Sequence, residues 1–371
     1  PTIYTSGPTL FGLYGDSLGL QIWAHALRLV TGVLPLIVGT ALYGSFHLYR
    51  RMQRWREGHQ GNPAPLLSRR ALGSSAVALL FLGAVLGWVR FVPVTVLARV
   101  MFDAEWGRII ETVPQAIDEV RQQKELDYDF VKPYDWLTEQ QYLAVAGEAR
   151  RLDMYLAGHP ADQIPLETLF TAGLAELAHV DELLSYHWIG FDASDEAASI
   201  PAEGFPVDYE SIPQTVDLLR RHQVGVVATL VVDDLMQRLC LDTPAVLSGV
   251  EYRTVPERYI QRWRTTGRNV RAFRDQGPYR RDVGMPFLQR LTKDLQAAGV
   301  ILTTGVDATV EGMIPGYHIH REIELLVESG LTPYEALGAA TRNAGQIVAR
   351  MGRDGNFGVL RVGNRADLVL L

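Results

Sequence analysis

The sequence has one cysteine, Cys240, among 371 residues. A single cysteine excludes an internal disulfide and a cysteine-rich zinc site. The chain also has no excess of basic residues, since 35 lysines and arginines stand against 42 aspartates and glutamates. A nucleic-acid-binding protein normally carries a basic surface, so we expect no nucleic-acid partner. This length is typical of one α/β barrel domain plus an appendage.

Two stretches, residues 29–49 and 71–89, lack charged side chains. At about 1.5 Å per residue, each is long enough to cross a hydrocarbon layer of about 30 Å. The loop between them is rich in arginine, and the positive-inside bias would place such a loop in the cytoplasm. We therefore predict a transmembrane hairpin within residues 13–102. The protein would be a multi-pass membrane protein in contact with the lipid bilayer, with both chain ends on the periplasmic or extracellular side. A buried helical pair in a large domain is the alternative.

After residue 103, helical patterns alternate with short apolar runs. Residues 112–126 and 138–152 are predicted helices, and Thr138 and Gln141 are placed to form a capping box at the start of the second. Strands are predicted after each helix, in the segments DYDFVK, DMYLAGH, AELAHVDELL, VGVVATLVV and VILTTGVDAT. This alternation predicts an α/β fold with a parallel sheet. A barrel is the leading architecture, and an open doubly wound sheet is the alternative.

Four residues with metal-binding chemistry stand at the carboxyl ends of predicted strands: Lys132, His159, His179 and Asp307. Parallel β/α folds place their chemistry at this edge of the sheet. Each residue alone has an ordinary explanation, such as a solvated strand end, a hydrogen-bonded imidazole or a turn carboxylate. Four of them on β/α units of one sheet are hard to explain by packing, and they favour a functional site.

Several segments carry a family resemblance: DYDFVKPY, YLAGHPADQI, LAELAHVDEL, TTGVDAT, IHREIELLVESGLTPYEALGAATRNAGQI and GVLRVGNRADLVLL. With them the sequence resembles the metal-dependent amidohydrolase superfamily, nearest its imidazolonepropionase-like and Xaa-Pro dipeptidase-like branch. The resemblance implies a (β/α)8 TIM-like barrel, incomplete in this chain, over residues 103–356. Residues 1–12 would supply one barrel strand and its loop, and residues 357–371 would form part of a small β-sandwich.

The resemblance also implies a role for each of the four residues. Lys132 would be carbamylated by carbon dioxide and would bridge two divalent metal ions. His159 and His179 would bind one metal, and imidazole nitrogen suits zinc. Asp307 would contact a metal and act as the catalytic proton carrier. The family's first strand also carries a His-x-His pair, which has no counterpart at a suitable place in this sequence.

The missing pair leaves three explanations open. Residues upstream of this sequence would supply it, or another chain would, or the protein is a decayed remnant; we prefer the first. Two further residues are candidates for substrate contact, with weaker support. Tyr134 would donate to a substrate carbonyl oxygen or merely pack, and His320 would contact substrate or merely cap a helix.

These observations predict a membrane-anchored, metal-dependent hydrolase, with its catalytic part opposite the cytoplasm. It would cleave the C–N bond of a small-molecule substrate, either an amide, a cyclic amide or a dipeptide, with metal-activated water. The alternative is a catalytically inactive membrane-bound barrel that acts as a receptor or scaffold. Whether the chain forms a homo-oligomer stays open.

Overall fold

A computed structural model describes residues 9–12, 107–135, 137–161, 163–191, 204–266, 276–308 and 310–368. The chain divides into two units, one made of Pro1–Tyr14 and Trp106–Leu371 and the other of Gly15–Glu105. The second unit lies outside the described residues. The two predicted membrane spans, 29–49 and 71–89, therefore also lie outside them.

All strand pairs within the sheets of the described chain are parallel, which confirms the predicted α/β class. The first sheet pairs β1 (Thr9–Gly12) with β2 (Gly107–Ile110). The sequence analysis did not predict β2. The second sheet has five strands in chain order: β3 (Phe130–Val131), β4 (Tyr155–Gly158), β5 (Glu176–Ala178), β6 (Gly225–Val227) and β7 (Leu302–Thr303). Each of these five lies within a predicted strand segment.

From β2 to β7, helices connect successive strands, as parallel pairing requires. Between β2 and β7 the described helices are α1 (Val113–Glu125), α2 (Glu139–Arg151), α3 (Leu166–Ala172), α4 (Ile212–Arg221), α5 (Leu230–Leu247), α6 (Glu257–Thr266), α7 (Gly277–Tyr279) and α8 (Met285–Ala297). A π-helical segment, Arg280–Gly284, joins α7 to α8. After β7 come α9 (His318–Glu328), α10 (Pro333–Ala340) and α11 (Arg342–Arg350).

Local sequence explains where several of these elements begin. The Thr138 side chain accepts from the Gln141 backbone N–H and the Gln141 side chain accepts from the Thr138 backbone N–H, so the predicted capping box at α2 is confirmed. The predicted strand VGVVATLVV is wrong in its second half. Thr229 takes a left-handed conformation with φ 50°, which ends the extended chain and lets α5 begin at Leu230.

The core lies between the five-stranded sheet and the helices around it. Each of the five strands contributes a side chain with 3% exposure or less, namely Val131, Leu156, Leu177, Val226 and Leu302. The helices pack buried side chains against them, including Val120, Tyr142, Leu169, Leu219, Leu291 and Leu325. Burial on this scale is typical of a parallel sheet covered by helices.

The structure corrects the predicted localisation. In the part of the chain that the structure describes, no helix is both long and apolar enough to cross a membrane. This finding contradicts the prediction of a multi-pass membrane protein with its catalytic part on the periplasmic or extracellular side. The predicted contribution of residues 357–371 to a β-sandwich stays a prediction. The described part of this segment, residues 357–368, forms turns and irregular chain without a strand.

Candidate metal centre

The four predicted site residues follow four parallel strands at the same edge of the sheet. Lys132 comes directly after β3, His159 directly after β4 and His179 directly after β5, while Asp307 lies four residues beyond β7. Because parallel strands end at one edge, the fold brings residues distant in sequence to one place. The backbone N–H of His159 also donates to the Pro133 carbonyl at 3.1 Å, which ties the ends of β3 and β4 together.

The two histidines lie against each other. Their ring centroids are 4.8 Å apart and the ring planes are nearly perpendicular, at 85°. The Nε2 atoms of both His159 and His179 are buried and make no hydrogen bond. The Nε2 atom of His179 lies 4.0 Å from Oδ2 of Asp307. Buried polar atoms normally have a hydrogen-bond partner, so two orphaned imidazole nitrogens in contacting rings point to a ligand.

The opposite ring nitrogens both have partners. Nδ1 of His159 lies 3.3 Å from Oδ1 of Asp135 and 3.1 Å from Oε1 of Glu182. Nδ1 of His179 lies 2.9 Å from Oγ1 of Thr229. Metal-binding histidines typically donate their second ring N–H to a carboxylate or another acceptor, which orients the ring. Both histidines match that arrangement.

Burial and nearby charges push the pKa values of the two histidines apart. Burial lowers the pKa of His179, and the positive charges of His159 and Lys132 lower it further. Burial also acts to lower the pKa of His159, but the carboxylates of Glu182 and Asp135 reverse the direction and raise it to about 10. His179 is therefore held neutral, whereas His159 lies in a strongly anionic environment.

Lys132 and Tyr134 line the same group of side chains. The Tyr134 ring centroid is 3.9 Å from that of His159, and Nζ of Lys132 is 5.6 Å from the Tyr134 ring centroid. Burial raises the pKa of Glu182 and lowers that of His179, and the positive charge of Lys132 acts on both groups towards a lower pKa. Burial, followed by the charge of Asp135, raises the pKa of the Tyr134 hydroxyl, so this group stays protonated and can donate a hydrogen bond.

Three residues at this edge have unusual backbone conformations. His179, Thr229 and Asp307 have φ values of 72°, 50° and 38°, in a region that residues other than glycine rarely adopt. Such a conformation costs about 1–3 kcal/mol and persists only where the surroundings impose it. All three lie just after strands of the same sheet, and such strain is concentrated at functional sites.

The weaker candidate His320 and its neighbour His318 differ from this group. His320 is exposed on α9, and within the described residues no hydrogen bond or ring contact links it to the other predicted site residues. His318 is buried, and its Nδ1 accepts from the backbone N–H of Ile314 at 2.9 Å. The structure thus groups Lys132, Tyr134, His159, His179 and Asp307, and it leaves His320 apart.

Sequence analysis missed the residues that surround the histidines. Asp135, His159 and Glu182 form a group that could itself hold a metal ion, with ligand atoms within 4.8 Å of one another. Asp135 and Glu182 each stand three residues after a predicted site residue, and acidic residues so close to the strand ends are the available signal. Thr229 ends the segment VGVVAT, but a threonine after a strand has no distinctive pattern.

A parallel α/β fold with potential metal ligands at the carboxyl edge of its sheet is typical of β/α enzymes, which place their active sites at that edge. Comparison with protein families narrows it: residues 132–371 match the amidohydrolase family. The chain belongs to the amidohydrolase family, as the sequence resemblance predicted. This membership supports a hydrolase.

Solved structures similar to this chain include a Xaa-Pro dipeptidase with bound methionine (16% identity, TM-score 0.45, covering 70% of this chain and 52% of that one). A second is the bottromycin amidohydrolase (18% identity, TM-score 0.47, covering 69% of this chain and 54% of that one). A third is the ochratoxinase of A. niger (18% identity, TM-score 0.43, covering 70% of this chain and 48% of that one). The chain spans about half the length of these proteins. No curated protein matches the chain.

Proposed function

We propose that the protein is a metal-dependent hydrolase of C–N bonds, acting on a small-molecule amide, cyclic amide or dipeptide. Membership of the amidohydrolase family supports the reaction class. The observation that carries the proposal is the pair of buried Nε2 atoms without partners, on His159 and His179. Their Nδ1 atoms already have acceptors, so Nε2 of His179 would be a metal ligand as it stands and Nε2 of His159 would be one once a cation displaces its proton.

The proposal includes a (β/α)8 barrel around this site. Thr303 of β7 donates to Glu176 of β5 at 3.3 Å across the intervening strand β6, and both side chains are buried. In a closed barrel, the residues of one interior layer come from alternate strands. The contact between Glu176 and Thr303 follows this rule and supports a curved sheet.

We assign His159, His179 and Asp307 as ligands of a divalent metal, with Lys132 beside them. The residues present fit zinc, because imidazole nitrogen and carboxylate oxygen are ordinary zinc ligands. Lys132 would react with carbon dioxide, forming an N–C bond and releasing a proton, and the resulting carbamate would bridge two ions if further ligands complete the site. When bound, a divalent cation would polarise the substrate carbonyl as a Lewis acid.

Side chains of this protein would transfer the protons of the reaction and donate hydrogen bonds to the substrate. Asp307 would accept a proton from the attacking water at its carboxylate and return it to the leaving nitrogen. Its side chain is 35% exposed, so solvent and substrate can reach it. The Tyr134 hydroxyl would donate to the substrate carbonyl oxygen, for which its raised pKa keeps it protonated. Asp135 and Glu182 would hold His159 through Nδ1.

The test compares the full-length protein with three variants: His179→Asn, Lys132→Ala and His222→Asn. His222 is the matched control, because it ends α4 and contacts Glu167 at 3.1 Å, away from the site. Zinc content would be measured by elemental analysis and hydrolysis with a panel of N-acyl amides, cyclic amides and dipeptides. We expect zinc in the wild type and the control, and at least about a 10-fold weaker zinc affinity in the two site variants.

A different outcome would favour the alternative function. If the purified protein takes up no divalent metal, and if His179→Asn and Lys132→Ala behave as the wild type in every assay, the chain is a catalytically inactive barrel that acts as a receptor or scaffold. Metal bound with equal affinity by all four proteins would instead show that the ligands are wrongly assigned.

A further inference from the structure

Thr229 occupies a demanding position between β6 and α5. Its exposure is 2%, and it combines a β-branched side chain with a left-handed backbone at φ 50° and ψ 31°. Left-handed conformations are unfavourable for β-branched residues, so other contacts must hold Thr229 in place. Strain of this kind is concentrated at functional sites.

The hydrogen bonds of Thr229 define the direction of its contact with His179. The hydroxyl has one proton, which it donates to the Ala228 carbonyl at 2.8 Å. With its proton directed to that carbonyl, Oγ1 acts as the acceptor in its 2.9 Å contact with Nδ1 of His179. It follows that Nδ1 carries the ring proton. A neutral imidazole has one N–H, so Nε2 of His179 presents its lone pair.

Glu322 of α9 holds the backbone of Thr229. Its carboxylate is fully buried, and Oε2 accepts from the backbone N–H of Val231 at 2.8 Å. Burial raises the pKa of Glu322 to about 8, and the backbone N–H groups of Val231, Leu230 and Thr229 act against this rise by hydrogen bonding to its carboxyl group. These are the first N–H groups of α5, which have no partner within the helix. One carboxylate from another helix thus secures the turn that contains Thr229.

Gly305 leaves room for the Thr229 side chain. A Cβ atom at position 305 would lie 2.7 Å from Cγ2 of Thr229 and 2.7 Å from Cγ1 of Val227. Such distances are too short for any side chain, so the glycine in the segment TTGVDAT permits the close approach of the loop after β7. Thr229 is therefore constrained from the backbone side by Glu322 and from the side-chain side by this loop.

We propose that Thr229 and Glu322 are positioning residues that hold His179 in the Nδ1–H tautomer, with Nε2 directed to the candidate metal centre. The use of Nε2 as a metal ligand rests on the proposed function. The tautomer itself does not, because it follows from the hydrogen bonds of Thr229 alone. The carboxylates of Asp135 and Glu182 lie against Nδ1 of His159, whereas Nδ1 of His179 relies on a neutral hydroxyl.

The first experiment reads the tautomer without metal. The full-length protein, labelled with 15N-histidine and treated with a chelator, would be studied by long-range 1H–15N NMR, with His179→Asn used to assign the His179 signals. We expect the Nδ1–H form in the wild type and in Thr229→Ser, which keeps the hydroxyl. Thr229→Val and Thr229→Gly remove it and should shift His179 toward the other tautomer. The glycine variant suits the left-handed backbone, so it provides a folded protein if the valine variant is unstable.

The second experiment measures zinc affinity by calorimetry. Loss of an outer partner of a metal ligand typically weakens binding by about 10–100-fold, and we expect this for Thr229→Val and Thr229→Gly but not for Thr229→Ser. Glu322→Gln should weaken binding as well. Its control is Glu324→Gln, two residues along α9 with a side chain that is 64% exposed, and this variant should bind zinc as the wild type does.

The outcomes separate the two proposals. A wild-type His179 in the Nε2–H form, or an unchanged tautomer and zinc affinity in both Thr229→Val and Thr229→Gly, would overturn the role of Thr229. Equal zinc affinity of Glu322→Gln and Glu324→Gln would overturn the role of Glu322. A wild type with the Nδ1–H tautomer that binds no zinc would support the positioning by Thr229 and would refute the proposed function.

Discussion

At the scale of single residues, the same amino acid serves different purposes according to its neighbours. His187 is buried, and both of its ring nitrogens have partners, since Nδ1 lies 2.7 Å from Oγ of Ser211 and Nε2 lies 3.1 Å from Oγ1 of Thr215. His159 and His179 each have a partner only at Nδ1. This difference separates a structural histidine from a candidate ligand, and a sequence does not contain it.

Asp307 offers a direct test at this scale. Asp307→Asn keeps the size of the side chain but removes its capacity to accept a proton. General acid–base catalysis typically contributes about 10²–10⁴-fold, so we expect kcat to fall by at least about 100-fold. Steady-state kinetics on the best substrate of the hydrolysis panel would measure it. The control is Asp354→Asn, on the turn after α11, and a similar loss of kcat in both variants would contradict the role of Asp307.

At the scale of secondary-structure elements, the end of β4 shows how a glycine allows two strands to approach. A Cβ atom at Gly158 would lie 2.3 Å from the carbonyl oxygen of Pro133, which is the acceptor of the His159 backbone N–H. Backbone atoms have little freedom to move away. The absence of a side chain at position 158 therefore determines how closely the segment that carries Lys132 and Tyr134 approaches His159.

Two glycine substitutions should change stability in opposite directions. Gly158→Ala introduces the clash with Pro133, and we expect a loss of at least about 1–3 kcal/mol in the free energy of unfolding. Gly147→Ala lies within α2 with no atom within 4 Å of the new methyl group, and it should gain about 0.5–1 kcal/mol because alanine favours a helix over glycine. Urea unfolding of both variants would measure these changes. Equal effects of the two would show that the close contact at Gly158 is unimportant.

At the scale of the whole molecule, buried carboxylates make stability depend on pH. Burial is the largest influence on both Glu176 and Glu322, and it raises their pKa values to about 7 and about 8. Both pKa values lie above that of a glutamate in an unfolded chain. Between the unfolded and the folded pKa of each group, the folded state therefore binds more protons than the unfolded state. Stability is therefore greatest below about pH 4 with respect to these groups, and it falls as the pH rises towards 8.

Glu176→Gln isolates one of these contributions. The glutamine keeps an acceptor for Thr303 and removes the charge, so the variant should gain stability over the wild type as the pH rises. A pKa shift of this size corresponds to about 3 kcal/mol, and we expect most of the gain to develop between pH 5 and pH 8. Urea unfolding at both pH values would measure it, with exposed Glu125→Gln as the control. A gain that is the same at both pH values would contradict the assignment.

Much of the fold followed from local patterns. The five strands of the second sheet lie within predicted segments, because apolar runs between helical patterns are a local signal. The capping box at Thr138 is equally local and is confirmed. The prediction of a multi-pass membrane protein is contradicted, since no helix among the described residues is long and apolar enough to cross a bilayer. β2, Gly107–Ile110, was not predicted, since only two of its four residues, Ile109 and Ile110, have large apolar side chains.

The sequence by itself determined the family, the parallel α/β class and the residue types at the strand ends, since these depend on neighbours along the chain. Only the tertiary structure decided which ring nitrogens face the candidate metal centre. That choice depends on Asp135 and Glu182 at His159 and on Thr229 at His179, the last of which is 50 residues away in sequence. Hydrogen bonds between such distant residues form only when the sheet brings their strands together, so no local pattern predicts them.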